Sequence, residues 1–218
     1  GPKLEKVFTK AIHVGQSIRK NTHINEGGVS VGSGAVELIE EKYGTLKGKN
    51  VLIVGAGEMG TVVAKALLDK ETNAIVVANR TFDKAQQLAQ DLDGIAIKFK
   101  KMDESLHKID ILISATGAPH PLINKNRLSF LPPEHLENMI MLDLANPRDI
   151  EEDVKELKVQ LYNLDDLRYI RDKNVEKRVK EAEKAEVIIA EETVLLKDAL
   201  KQMEITPILS SLNVEAEK

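Results

Sequence analysis

The chain has 218 residues, 30% of them charged and 42% hydrophobic, with a formal net charge of −4. That balance excludes a disordered chain, and the longest apolar runs, such as Ile75–Ala78 and Ile111–Ile113, are far too short to cross a bilayer. There is no cysteine, so these residues supply no disulfide, thiolate metal ligand or thiol nucleophile.

Residues 1–48 carry two helical patterns. Leu4, Phe8, Ala11, Ile12, Gly15 and Ile18 recur at helical spacing, and Val36, Leu38 and Ile39 follow after a serine-glycine stretch. Gly27-Gly28 separates the two, Ser30 or Ser33 is placed to cap the second, and Gly44 with Gly48 closes it. Residues 49–163 then alternate β-branched runs with helical stretches. Strands are expected at Asn50–Val54, Ala74–Ala78, Ile95–Ile97, Ile109–Ser114, Met139–Leu144 and Gln160–Tyr162, with helices near Met59–Leu68, Phe82–Leu92 and Glu151–Leu157. Runs this continuous belong to strands covered on both faces, so the fold class is α/β, a doubly wound Rossmann-type parallel sheet with flanking N-terminal helices. From about Asp165 to Met203 no glycine or proline intervenes, and a three-four spacing of apolar residues predicts one long helix that Pro207 ends. The expected organisation is residues 1–48 as linker helices, 49–163 as the nucleotide-binding domain, 164–205 as a long connecting helix, and 206–218 as the start of a further element.

The chemistry is concentrated in one loop. Gly55-Ala56-Gly57-Glu58-Met59-Gly60 places a Gly-x-Gly-x-x-Gly directly after a strand and at the mouth of a helix. The first glycine permits a tight turn, the second lets backbone approach a pyrophosphate, and the third lets helix and strand pack closely. Free N–H groups at the helix start then hold phosphate. An NAD-type site places Asp or Glu at the end of the second strand, whereas this sequence has Asn79-Arg80-Thr81. A guanidinium there fits a 2′-phosphate, so NADPH is the expected cofactor. Ala115, Thr116 and Gly117 close the fourth strand with small residues that leave room for a ribose. In Asp143-Leu-Ala-Asn-Pro-Arg148-Asp149, Arg148 lies beside two acids, either to anchor the loop or to meet an acidic substrate group, and Asp149 reads as structural. His13, His23, His107, His120 and His135 have no metal-ligand spacing, and no catalytic acid–base pair stands out. The N-terminus lacks the layout of a secretory signal, so a cytoplasmic protein without a membrane partner is expected.

Several motifs together resemble one family. Phe8, Ala11-Ile12, Val14-Gly15, Arg19, Thr22 and Ile24, followed by Gly28-Val29-Ser30-Val31 and Ala35-Val36, are similar to the segment that joins the catalytic and nucleotide domains of glutamyl-tRNA reductases. The Gly55–Gly60 loop, Asn79-Arg80-Thr81, Ser114–Gly117, Asp143–Ile150 and Tyr162–Leu167 follow in that family's order. The resemblance implies an NADPH-dependent reductase of porphyrin biosynthesis that converts glutamyl-tRNA to glutamate-1-semialdehyde through a cysteine thioester, and that forms a homodimer. Gln16 and Asn21 stand where the family often has lysine and glutamate, and the family's cysteine is missing. The chain by itself is therefore expected to bind NADPH without reducing glutamyl-tRNA. Two alternatives stay open: a shikimate dehydrogenase-like oxidoreductase, which needs a substrate-domain lysine–aspartate pair that 48 leading residues are too few to build, and a non-enzymatic NADP-responsive docking module. In the second case the net-basic stretch Arg168–Lys184 would offer a face to tRNA phosphates, although its interleaved charges also fit a solvated helix.

Overall fold

The computed structural model describes residues 1–25 and 30–216, with side chains as far as Ile205. The Gly27-Gly28 separator and the Gly28-Val29 part of the family motif lie outside the described residues. In chain order the elements are α1 (Pro2–Asn21), α2 (Val31–Tyr43), β1 (Asn50–Val54), α3 (Glu58–Ala66), β2 (Ala74–Asn79), α4 (Phe82–Asp91), β3 (Ile95–Lys98), α5 (Met102–Ser105), β4 (Ile111–Ser114), α6 (Lys125–Leu128), α7 (Pro133–Asn138), β5 (Ile140–Asp143), β6 (Gln160–Asn163) and α8 (Leu164–Ala216). They form two compact units, Gly27–Lys173 and the pair Gly1–Glu26 with Asn174–Lys218.

The first unit is built on a six-stranded parallel sheet in the order β3-β2-β1-β4-β5-β6. Successive side chains of a strand point to opposite faces, and here both faces are covered. Val51 and Ile53 of β1, Ile75 and Val77 of β2, and Ile111 and Ile113 of β4 join α2, α3 and α4 in one apolar layer. Leu52, Val54, Val76, Ala78 and Leu112 join Met102, Leu106, Leu128 and Leu136 in the other. This two-sided burial is why the strands read as unbroken apolar runs. The second layer holds only short helices and 3₁₀ turns, with Pro119, Pro121, Pro132 and Pro133 interrupting its chain.

Two helix starts show how local sequence positions these elements. Ser30 caps α2 by accepting the Ser33 N–H at 3.1 Å, while the Ser33 hydroxyl accepts the Ser30 N–H at 3.1 Å. At the start of α8, the Asn163 side chain accepts the Asp165 N–H and the Asp166 carboxylate accepts the Asn163 N–H, both at 2.8 Å. Both are reciprocal caps that satisfy helix-start donors.

In the second unit, α1 and the later part of α8 run antiparallel. Lys3 pairs with Glu204 at 2.6 Å, Lys10 pairs with Glu192, and Glu181 accepts the His23 N–H at 2.9 Å. Leu4, Phe8 and Ile12 of α1 are exposed.

Several elements depart from the sequence reading. The expected boundary at 48/49 cuts through a packed layer, because Ala35, Val36, Leu38 and Ile39 of α2 are buried in the same core as the sheet. The pattern at Glu151–Leu157 is a 3₁₀ run, Glu152–Leu157, ended by Lys158 in a left-handed conformation. Nor does Pro207 end the long helix, which continues to Ala216. Proline removes one i→i−4 bond at a cost of about 3 kcal/mol, but that loss is local, and each residue beyond it again gains a bond.

Candidate functional site

The glycine loop lies between β1 and α3 at the carboxyl edge of the sheet. Gly55 has φ +101°, and a Cβ there would sit 2.4 Å from the Ala115 carbonyl oxygen, so only glycine fits this turn. At Gly60 a Cβ would meet the Gly55 carbonyl oxygen at 2.2 Å, and glycine lets α3 start against the loop. Gly57, the N-cap of α3, differs: its Cβ would point into open space. No side chain caps α3, so its first N–H groups are left without a side-chain acceptor, as an anion site at a helix start requires.

The end of β2 is tied to this loop by one side chain. The Asn79 carbonyl oxygen accepts the Ala56 N–H at 3.3 Å, and its amide donates to the Thr81 carbonyl at 2.9 Å. Arg80 and Lys84 are exposed and have no ion-pair or hydrogen-bond partner among the described residues. A cleft of about 290 Å³ opens above β1, β2 and β4. It is lined by Gly55, Ala56, Gly57, Asn79, Arg80, Thr81, Ala115, Thr116 and Gly117 of the expected site, together with Val54, Ala78, Lys84, Phe99, Ala118 and Leu122. Both cations face it, and no carboxylate lines it.

Three expected site residues stand outside the lining. Glu58 is exposed in the first turn of α3, Met59 is half-buried against the core, and Gly60 lies beneath the loop. Six lining residues lie outside the expected site, and two of them, Val54 and Ala78, belong to β1 and β2 beside the loop. Lys84 lies in the first turn of α4, which starts two residues after Arg80, a proximity visible in the sequence. Phe99, Ala118 and Leu122 arrive through the layout of β3 and the β4–α6 connection, for which no local motif exists.

Two buried carboxylates stand behind the cleft. Asp149 is fully buried. Its carboxylate accepts the Ser114 hydroxyl at 2.6 Å, the Thr116 N–H at 2.9 Å and the Thr116 hydroxyl at 2.6 Å. Its backbone carbonyl accepts the N–H groups of Leu122 at 2.7 Å and Ile123 at 3.0 Å. Asp143, also buried, accepts the N–H groups of Ala145, Asp149 and Ile150, each at 3.0 Å. Burial pushes the Asp143 carboxyl above its ordinary value against the pull of these donors, and the Asp149 charge adds to the rise. Arg148 takes the anchoring role: it donates to the Asp143 backbone carbonyl and to the Asp165 carboxylate, each at 3.3 Å. Among the described residues no cluster of His, Asp and Glu is arranged to hold a metal ion, and no helix is long and apolar enough to cross a membrane.

The family model for shikimate / quinate 5-dehydrogenase matches residues 37–170. The chain is 79% identical over 218 residues to a glutamyl-tRNA reductase of Methanosphaera stadtmanae, covering 100% of this chain and 55% of the relative. A glutamyl-tRNA reductase of Methanocaldococcus jannaschii is 51% identical over 211 residues, covering 96% of this chain and 52% of the relative. Among solved structures, glutamyl-tRNA reductase from Methanopyrus kandleri superposes with a TM-score of 0.87 at 41% identity, covering 96% of this chain and 53% of that one. The chain thus spans about half the length of the curated relatives it matches.

Proposed function

Because the chain belongs to the shikimate / quinate 5-dehydrogenase family and matches glutamyl-tRNA reductases along its whole length, we propose that it is the NADPH-binding part of such a reductase. The family model accounts for residues 37–170 and so for the sheet. The likeness to glutamyl-tRNA reductases runs further, across α1 and α8, and it favours that reading over a shikimate dehydrogenase-like activity. The whole enzyme would reduce glutamyl-tRNA to glutamate-1-semialdehyde for tetrapyrrole synthesis, as a homodimer in the cytoplasm.

The observation that carries the cofactor choice is the end of β2. Arg80 and Lys84, two cations without an ion-pair or hydrogen-bond partner among the described residues, face a cleft whose described lining contains no carboxylate. A carboxylate is what a free ribose 2′-hydroxyl calls for, and cations are what a 2′-phosphate calls for. The open space over Gly57 and the uncapped start of α3 fit a pyrophosphate. Asn79 braces the glycine loop against the Arg80 turn, and Ala115, Thr116 and Gly117 form the opposite wall, whose small side chains would leave room for a ribose. When bound, the cofactor supplies a hydride. The chain's own residues bind it, orient it and exclude water beneath it. With no cysteine among its residues, the chain supplies no thiol to capture the glutamyl group.

Isothermal calorimetry on this chain tests the cofactor. NADPH should bind at least about ten-fold more tightly than NADH, and equal affinities would overturn the assignment. For the reaction, the full-length enzyme should form semialdehyde from glutamyl-tRNA and NADPH, and this chain alone should form none.

A further inference from the structure

We propose that Asp149 is the positioning residue of the cleft: it touches no ligand, yet holds the whole Thr116–Ile123 wall in its binding shape. The proposal rests on the dinucleotide reading and concerns how the site is kept preformed.

The wall is a connection without regular structure, and it carries Gly117, Pro119 and Pro121. Apart from a single parallel bridge between Ile123 and Ile150, such a segment has no ladder of its own to fix it. Both of its ends are instead tied to one residue. At the entry, Thr116 gives Asp149 both its N–H and its hydroxyl; at the exit, Leu122 and Ile123 give their N–H groups to the Asp149 carbonyl. Thr116 and Leu122 both line the cleft, whereas Asp149 does not. A carboxylate only accepts, so the Thr116 hydroxyl must donate to it. Its lone pairs are thereby left for the Ala118 N–H, which it accepts at 3.1 Å, and the hold extends one residue further into the lining.

Side-chain donors and acceptors satisfied in this way are worth more for shape than for stability alone. A carboxylate placed merely to stabilise the sheet would gain as much from Ser114, which does not line the cleft, as from Thr116. The geometry separates the two: one bond goes to the strand and two go to the wall.

The test compares Asp149→Asn with Ser114→Ala in this chain, reading NADPH affinity, thermal stability and amide exchange. Asp149→Asn replaces an acceptor-only group by one that must also donate. It should weaken NADPH binding about ten-fold and raise exchange at Thr116 and Ala118, leaving β1 protected and leaving Leu122 and Ile123 on the unchanged Asp149 carbonyl. Ser114→Ala removes a donor from the same carboxylate; it should lower stability and leave the affinity within about two-fold. If affinity instead falls in proportion to stability in both variants, or Asp149→Asn binds as the wild type does, the proposal is overturned. Should Asp149→Asn not fold, Thr116→Val and Thr116→Ser decide. Valine should weaken binding about ten-fold and serine should restore it, and a valine variant with wild-type affinity overturns the proposal. A wild-type chain that binds no NADPH would sink the dinucleotide reading instead, while exchange at Thr116 and Ala118 would still report the Asp149 hold.

Discussion

The carboxylate of Asp143 accepts the backbone N–H of Asp149 at 3.0 Å, so the residue that braces the cleft is itself placed by a second buried acid. Asp143 takes two further N–H groups, from Ala145 and Ile150. Asp143→Asn offers one acceptor where three donors converge and should cost about 1–3 kcal/mol, read by urea unfolding. The native Asp143 carboxyl lies above its ordinary value. As pH rises from about 3.9, the unfolded value, to the raised native value, the unfolded chain ionises first. Stability from this group therefore falls across that window. The advantage of wild type over Asp143→Asn should be greatest at the acid end and shrink as pH rises; an advantage that grows would contradict the assignment.

Gly57 and Gly60 separate a fold requirement from a ligand requirement. Gly60→Ala drives a Cβ to within 2.2 Å of the Gly55 carbonyl oxygen and should destabilise the chain by about 1–3 kcal/mol. Gly57→Ala meets nothing within 4 Å. It should leave the melting temperature nearly unchanged and still abolish NADPH binding, because the methyl group takes the space over the helix start. Calorimetry beside thermal melts reads both, and a Gly57→Ala variant that binds normally would show that no phosphate lies there.

On the proposed reading, Arg80 and Lys84 would set the choice between the two nicotinamide dinucleotides. A hydrogen bond to a charged group contributes about 1.5–3 kcal/mol, so Arg80→Ala should weaken NADPH binding by about 10- to 100-fold. Affinity for NADH should barely move. Lys84→Ala should act in the same direction, and the NADPH affinity should fall with salt in the wild type more steeply than in either variant. Equal losses for both dinucleotides would place these cations away from the 2′-position.

Tyr43 gives an alkaline marker for the α2 layer. Its hydroxyl donates to the Asp110 carbonyl at 3.0 Å and lies against the Asn138 carbonyl. Burial first, then the Asp110 charge, pushes it up to about 12. The unfolded value is about 10, so the unfolded state loses its proton first and stability falls as pH climbs from 10 towards 12. Absorbance titration should show one of the three tyrosines ionising late. Tyr43→Phe should remove that step at a cost of about 0.5–1.5 kcal/mol.

Much of the sheet was legible because its signals are local. β1 was read at Asn50–Val54 and found there, and β2 and β3 each extend one residue beyond their expected ends. A strand buried on both faces announces itself by its own run of β-branched residues. The Gly55–Gly60 loop was legible for a similar reason, since backbone strain and close approach at Gly55 and Gly60 restrict those positions whatever surrounds them. The short helices α5, α6 and α7 were not anticipated; each buries one side chain, Met102, Leu128 and Leu136 in turn, in a layer assembled from distant segments.

The sequence by itself determined the α/β class, the glycine turn after β1 and the cation at the end of β2, because periodicity, φ and charge belong to single residues or short runs. Only the tertiary structure decided that α2 packs into the sheet unit, that Lys84, Phe99 and Leu122 join the cleft, and that Asp149 holds its wall. Those facts depend on residues 33 to 35 positions apart meeting, as Ser114 and Thr116 meet Asp149, and on the parallel order of strands that brings them together. No local pattern encodes such a meeting, because it is fixed by the burial of the whole core rather than by any one segment.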